Sequence, residues 1–285
     1  MSEQKLRFLV VTAHPHDFTH AAATCGIHTA RGDSVTVVSV GHGVYTHNER
    51  LHGELMKPPA QRDRSILDET AEDYSAVKSQ ELREACRVFG ISDVRILGVP
   101  EPFRLSKSPE TVERLRDIIL EVRPHVMIAQ SPYFTGRHRL QNGAPDDHSE
   151  VAFASIEARN LAATALYGST VPPHTIAATY FSGVYFEKDQ YDFYVDVTDW
   201  FEGRVQAEMA FRSQGHTDEF ARRRIELTLG NTGWYAGVMY AEAFVQERPE
   251  VLPRIVVSDG TLNRADESPS VHLRRIAGME VEERK

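Results

Sequence analysis

Phe8-Leu-Val-Val-Thr-Ala-His-Pro-His-Asp-Phe-Thr-His20 is the stretch whose reading decides the fold. An apolar, β-branched-rich run stops at His14, and His14, His16, Asp17 and His20 follow in close order. A short apolar run ended by a proline reads as a buried parallel strand, Leu6–Ala13. Open α/β sheets gather their ligands at the carboxyl ends of such strands, so the polar cluster occupies the functional edge. Imidazole with carboxylate is the donor set of a borderline metal such as zinc.

Outward from this stretch the chain alternates. Thr19 is a candidate N-cap for a helix through Ala30, and Gly32 is its natural left-handed stop. Ser34–Val40 is a second strand, which completes a right-handed βαβ unit. No Gly-x-Gly-x-x-Gly turn follows strand one, which argues against a dinucleotide. Gly41–Thr70 reads as a long irregular segment able to cover the His14 cluster, with His42, His47, Glu49 and His52 on it; exposed loop polars are the plainer account. Ala71–Gly90 is a helix and Val94–Val99 a third strand, after which Glu101 is a second carboxylate at the same sheet edge. A helix opened by Ser108-Pro109 leads to strand four, His125–Ser131.

A second irregular segment, Pro132–Asp147, carries Tyr133, Arg137, His138 and Arg139. An Ala-rich helix then begins near His148, with Asp146 or Asp147 as its cap. Thr175–Gly183 and Asp192–Val197 read as strands, Trp200–Arg212 as a helix capped by Thr198-Asp199, and Glu219–Leu229 and Tyr240–Gln246 as helical. Val251–Ser258 is a candidate last strand. The pattern predicts one α/β domain over residues 1–260, a Rossmann-like three-layer α/β/α arrangement with a mainly parallel sheet. Residues 261–285 read as a C-terminal tail or an oligomer arm.

In such an order strand four lies beside strand one, so the loops bearing His14, Asp17 and His148 flank one crevice. Two histidines and one carboxylate with an open position form a catalytic rather than a structural zinc set, able to lower the pKa of a bound water to about 7. Iron, manganese or nickel would also accept these donors.

Composition narrows the partners. Lys+Arg total 32 against 41 Asp+Glu, a net charge of −9, which speaks against nucleic acid. Two isolated cysteines supply neither a thiolate zinc site nor a disulfide framework. No apolar run reaches the roughly 18 residues of a membrane span, and no leader-like apolar segment opens the chain. The expectation is a cytoplasmic protein acting on a small molecule, with homo-oligomerisation left open.

At these residues the chain resembles the LmbE/PIG-L family of zinc-dependent N-acetylglucosaminyl deacetylases. The family's Ala-His-Pro-Asp-Asp-Glu opening is matched by Ala13-His-Pro-His-Asp-Phe18. The likeness continues through Ala30–Val38, Glu81–Gly90, Pro145-Asp-Asp-His148, Val195-Asp-Val-Thr198, Ser213-Gln214 and Tyr240–Phe244. It implies His14, Asp17 and His148 as zinc ligands. The family's general base, its first Asp, is replaced here by His16, which is either a base in its own right or part of the pocket lining. The Glu after the metal Asp is Phe18, and the first His of the family's His-x-Asp-His motif is Pro145. Asp147 remains, as a proton-moving group, an orienting partner or a helix cap.

The expected activity is zinc-dependent removal of an N-acyl group from an amino sugar or similar molecule. His16 and Asp147 are the catalytic candidates, and His42, Glu101, Tyr133, Arg137 and His138 the candidates for substrate contact, the last three as oxyanion stabilisers. The alternative is a hydratase of the kind that adds water to 4-oxalomesaconate, a branch of the same fold that also carries Asp-Phe; Arg104, Arg137 and Arg139 would then clamp carboxylates.

Overall fold

Strand β1 (Arg7–Thr12) is buried on both faces, and its side chains sort by parity into two cores. Phe8 and Val10 face one, Leu9 and Val11 the other, as a period of two requires of a strand covered on both sides. The computed structural model describes residues 4–103, 108–132, 146–183 and 188–279. In chain order it adds α1 (Ala22–Ala30), β2 (Ser34–Ser39), α2 (Glu49–Met56), α3 (Arg64–Leu67), α4 (Ala71–Val88), β3 (Asp93–Ile96), α5 (Pro109–Val122) and β4 (Val126–Gln130). There follow α6 (Asp147–Ala162), β5 (Ala178–Ser182), β6 (Phe193–Asp196), α7 (Phe201–Met209), α8 (Asp218–Ala236), β7 (Ala241–Gln246), α9 (Asp259–Ala265) and α10 (Pro269–Ile276).

The sheet runs β3-β2-β1-β4-β5-β7-β6. β1 pairs in parallel with β2 and β4, β2 with β3, and β4 with β5; β7 is antiparallel to both β5 and β6. Helices α1, α4, α7 and α8 cover one face, and α5 and α6 the other. The expected Rossmann-like three-layer, mainly parallel architecture is present, with the order reversing between β1 and β4. The carboxyl ends of those two strands therefore open onto one crevice.

Four local expectations are corrected. The stretch Tyr240–Gln246 is not helix: from Ala241 it is strand β7, because Ala241 and Phe244 fill the core between two partner strands whose ladders satisfy its backbone. Val251–Ser258 forms no strand; Pro253 interrupts it, and Val251 and Ile255 stay 95% and 92% exposed. The stretch Gly41–Thr70 is not irregular throughout: Asn48 caps α2 by accepting the Leu51 N–H, and Asp63 caps α3 by accepting that of Ser65. Thr19 caps nothing, since Pro15 opens a 3-10 turn over Pro15–Ala21 and α1 starts only at Ala22. The cap of α1 comes from far along the chain: the buried Glu242 carboxylate accepts the N–H groups of Ala23 (3.0 Å) and Thr24 (2.8 Å).

After residue 258 the chain forms α9 and α10. Ile276 is buried, and Arg275 donates to the Gly237 carbonyl while pairing with Glu267.

Candidate metal centre

The turn after β1 has its shape built in. Asp17 accepts the backbone N–H of His14 at 2.8 Å through Oδ2, closing the first turn on itself. Pro15, with no N–H to satisfy, occupies the first position. His14 and Asp17 are thereby buried together at the carboxyl end of β1. On the far side of the crevice, Asp146 caps α6 by accepting the Ser149 N–H at 3.0 Å, which sets Asp147 and His148 in the helix's first turn.

These two turns meet. His148 Nε2 lies 3.4 Å from Asp17 Oδ2, and His14 Nδ1 lies 3.7 Å from the same oxygen. One donor atom from each of the three residues fits within 4.8 Å of the others. Burial works against the Asp17 charge, yet the His148 hydrogen bond and the nearby His148, His14 and His20 rings hold its carboxyl well below the usual range. Burial opposes protonation of His148, but its bond to Asp17 and the charges of Asp17, Asp146 and Asp147 raise its pKa. Burial pushes His20 down to about 4.

His14 is oriented from behind. Its Nε2 lies 3.2 Å from Asp147 Oδ2 and 3.2 Å from Thr46 Oγ1, and Asp147 Oδ1 accepts the Phe103 N–H at 2.9 Å. Burial opposes the Asp147 charge, but His14 and the Phe103 N–H keep its carboxyl low. An ionised carboxylate at Nε2 makes that nitrogen the N–H and leaves the lone pair on Nδ1, which faces Asp17. Phe103 stacks on the His14 ring with centroids 5.6 Å apart, and His47 meets its edge at 5.0 Å.

The remaining candidates divide. Glu101 accepts the N–H groups of Gly43 and Tyr45 and the Thr46 hydroxyl, so it fastens the segment after β2 beside His14. Gly41 is needed there, because a Cβ would stand 2.5 Å from Phe103 and 2.7 Å from the Glu101 carboxylate. His42, pushed down by burial against the pull of Glu101, lines a cavity with Glu101, Tyr45 and Ser75. Tyr133, Arg137 and His138, with Arg104 and Arg139, lie outside the described residues. His16 shares the turn of His14 and Asp17, but its Nε2 turns to Glu208 on α7, 2.9 Å away.

Sequence reasoning missed Glu208 and its neighbour His216. Arg204 and Glu208 stand four apart on α7, the spacing of an ordinary solvent-facing pair, yet both are buried. No local pattern distinguishes the two cases.

Comparison with known proteins gives the family and the fold. Residues 9–159 match the family described as PIG-L: GlcNAc-PI de-N-acetylase. The chain is 30% identical over 196 residues to the 1D-myo-inositol 2-acetamido-2-deoxy-alpha-D-glucopyranoside deacetylase of Streptomyces griseus, covering 62% of this chain and 56% of that one. The protein of the same name from Thermomonospora curvata is 28% identical over 190 residues, 60% of this chain and 58% of that one. The matched stretch thus spans little more than half the length of these relatives. Among solved structures, GalB, the 4-carboxy-2-hydroxymuconate hydratase from Pseudomonas putida, superposes with a TM-score of 0.69 at 20% identity, covering 89% of this chain and 100% of that one. N,N'-diacetylchitobiose deacetylase from Pyrococcus horikoshii gives 0.66 at 18% identity, covering 85% and 84%. At these identities the two structures testify to the fold alone. The family profile spans more than half of this sequence, from β1 through most of α6, and takes in both turns of the crevice: the chain belongs to the PIG-L family.

Proposed function

We propose that this protein is a metal-dependent deacylase, with zinc as its metal, that removes an acetyl or similar acyl group from the nitrogen of an amino sugar or related small molecule. The convergence of His14 Nδ1, Asp17 Oδ2 and His148 Nε2 carries the reading. Zinc bonds of about 2.0–2.1 Å in a tetrahedron imply donor separations of about 3.3 Å. The separations from Asp17 Oδ2, 3.4 and 3.7 Å, are close to that. His14 Nδ1 is also buried without a hydrogen bond among the described residues, an uncompensated polar atom that a cation would satisfy.

A bound zinc ion would contribute Lewis acidity and a water of lowered pKa. The chain's own groups do the rest. Asp147 holds the His14 ring with its lone pair forward, and the His14 backbone N–H fixes Asp17. His16, an imidazole in the same turn, takes the proton released as water adds to the acyl carbon and returns it to the departing amine. Glu101 keeps the Gly43–Thr46 segment against His14, where it narrows the crevice. The names of the relatives, deacetylases of an inositol-linked acetamido-glucopyranoside, make a glucosamine N-acetyl group the first substrate to try. Hydration of an unsaturated acid is the alternative; its carboxylate clamp would come from Arg104, Arg137 and Arg139, which lie outside the described residues, as do the oxyanion candidates Tyr133, Arg137 and His138.

The test is amine release from a panel of N-acetylated amino sugars, an inositol-linked glucosaminide among them, with an unsaturated tricarboxylate as a control. Release that stops on chelation and in Asp17→Asn is the expected result. No release from any amide, with one equivalent of metal confirmed bound, would overturn the reading.

A further inference from the structure

A second buried cluster, unused by the metal reading, backs onto the same turn. Glu208 is 1% exposed, and three elements converge on its Oε1: His16 Nε2 at 2.9 Å, Arg224 Nε at 3.2 Å and His216 Nδ1 at 3.4 Å. Arg204 Nη2 stands 3.9 Å from its Oε2. His216 Nδ1 also meets the Glu208 carbonyl oxygen at 3.1 Å. The His16 ring is boxed in by Phe211, edge-on at 4.9 Å, and by the His216 ring at 5.2 Å. Burial resists the Glu208 charge, but the His16 hydrogen bond and the surrounding cations bring its carboxyl down to about 2.

Three uses of this cluster can be weighed. A second divalent cation is one, since His16, Glu208 and His216 each offer a donor atom within 4.8 Å of the others. Arg204 and Arg224 already balance the charges of Glu208 and Glu242, and both guanidinium groups would repel a doubly charged ion placed among them. Plain core filling is another, yet buried ionic groups contribute little net stability over apolar ones of the same volume. The third follows from the chemistry of imidazole. A carboxylate on one ring nitrogen makes that nitrogen the N–H, and the lone pair falls to the other. His16 makes no second side-chain hydrogen bond among the described residues.

We propose that Glu208 is a positioning residue, which holds the His16 ring in one orientation with its proton on Nε2, so that Nδ1 is the nitrogen that accepts the proton in the reaction. Arg224 and His216 hold Glu208 in turn. The proposal rests on His16 being the proton-moving group proposed above. Nδ1 takes one proton from the attacking water, the ring becomes imidazolium beside an ionised Glu208, and the same proton leaves with the amine. The pairing extends the machinery of the site to α7, far along the chain from its other described parts.

The test is a long-range proton–nitrogen NMR spectrum of metal-loaded protein labelled at histidine nitrogen, the His16 signals being those lost in His16→Gln. Nε2 protonated and Nδ1 bare is expected in the unaltered protein, with a mixture of tautomers in Glu208→Gln and partial retention in Glu208→Asp. With an acyl amide that is turned over, Glu208→Gln lowers kcat on the order of 10–100-fold, with KM little changed. His16 found with its proton on Nδ1 overturns the proposal without any variant, as does a His16 spectrum that Glu208→Gln leaves unaltered. A second equivalent of metal that vanishes in His216→Ala also overturns it. A fixed tautomer with no amide cleaved sinks the deacylase reading alone; cleavage with kcat unchanged in Glu208→Gln sinks the positioning role alone.

Discussion

Asp147→Asn removes one oxygen from a carboxylate with two engagements. Oδ1 accepts the Phe103 N–H at 2.9 Å, and Oδ2 faces His14 Nε2 at 3.2 Å. An asparagine has one oxygen and one NH2. With the oxygen on Phe103, the NH2 meets Nε2, which must become an acceptor; the ring proton then moves to Nδ1, the nitrogen facing Asp17. With the oxygen on His14, the NH2 confronts the Phe103 N–H, donor against donor. The first arrangement keeps both hydrogen bonds but puts the ring proton on the nitrogen a metal needs, and the second loses a buried hydrogen bond; each costs about 1–3 kcal/mol. At 1.4 kcal/mol per tenfold, that is a metal affinity weaker by about 10–100-fold. The Thr46 hydroxyl, which shares Nε2 but is exposed and also serves Glu101, tempers the loss toward the lower figure. Competition for zinc against a fluorescent chelator measures the ratio directly, with unfolding of the metal-free variant as a control for gross damage. An affinity within about twofold of the unaltered protein would refute the assignment of His14 Nδ1 as a metal donor held by Asp147.

Two further outcomes follow from the same geometry. Glu242→Gln leaves one of the Ala23 and Thr24 N–H groups without an acceptor and takes a counter-charge from buried Arg204; urea unfolding is expected to show a loss of about 2–4 kcal/mol, and a change under about 0.5 kcal/mol would count against the cap. Tyr74, whose hydroxyl donates to the His47 carbonyl at 2.8 Å, is raised by burial to about 12, so below about pH 10 both folded and unfolded states keep its proton. As pH rises from about 10 to 12 only the unfolded state releases it, and stability falls by up to about 3 kcal/mol; Tyr74→Phe should give a flatter profile in urea titrations across that window, and parallel profiles would refute it.

The parallel half of the sheet was legible because its strands are apolar runs with sharp ends, and the crevice followed from strand order alone. The convergence of His14, Asp17 and His148 could be inferred for the same reason: each sits within a turn of a strand or helix end. Tyr240–Gln246 was not legible, because Ala-Glu-Ala favours a helix locally and only the two flanking strands make it extended. Glu242 and Glu208 were hidden by the same circumstance. Their partners, Ala23, Thr24 and His16, lie roughly two hundred positions earlier, and nothing in the sequence near either glutamate reports that it faces inward.

The turn over Pro15–Ala21 has a consequence for how this scaffold can diversify. Its shape depends on Pro15 and on Asp17 bonding back to the main chain of His14, while the side chain at position 16 contributes nothing to closing it. Under the proposed function, chelation and proton traffic fall to different positions of one short loop, and the second can be rewritten while the first stays put. An imidazole backed by a glutamate from a distant helix is one such rewriting. Other pairings at those two positions offer a route to new reactions on an unchanged metal platform.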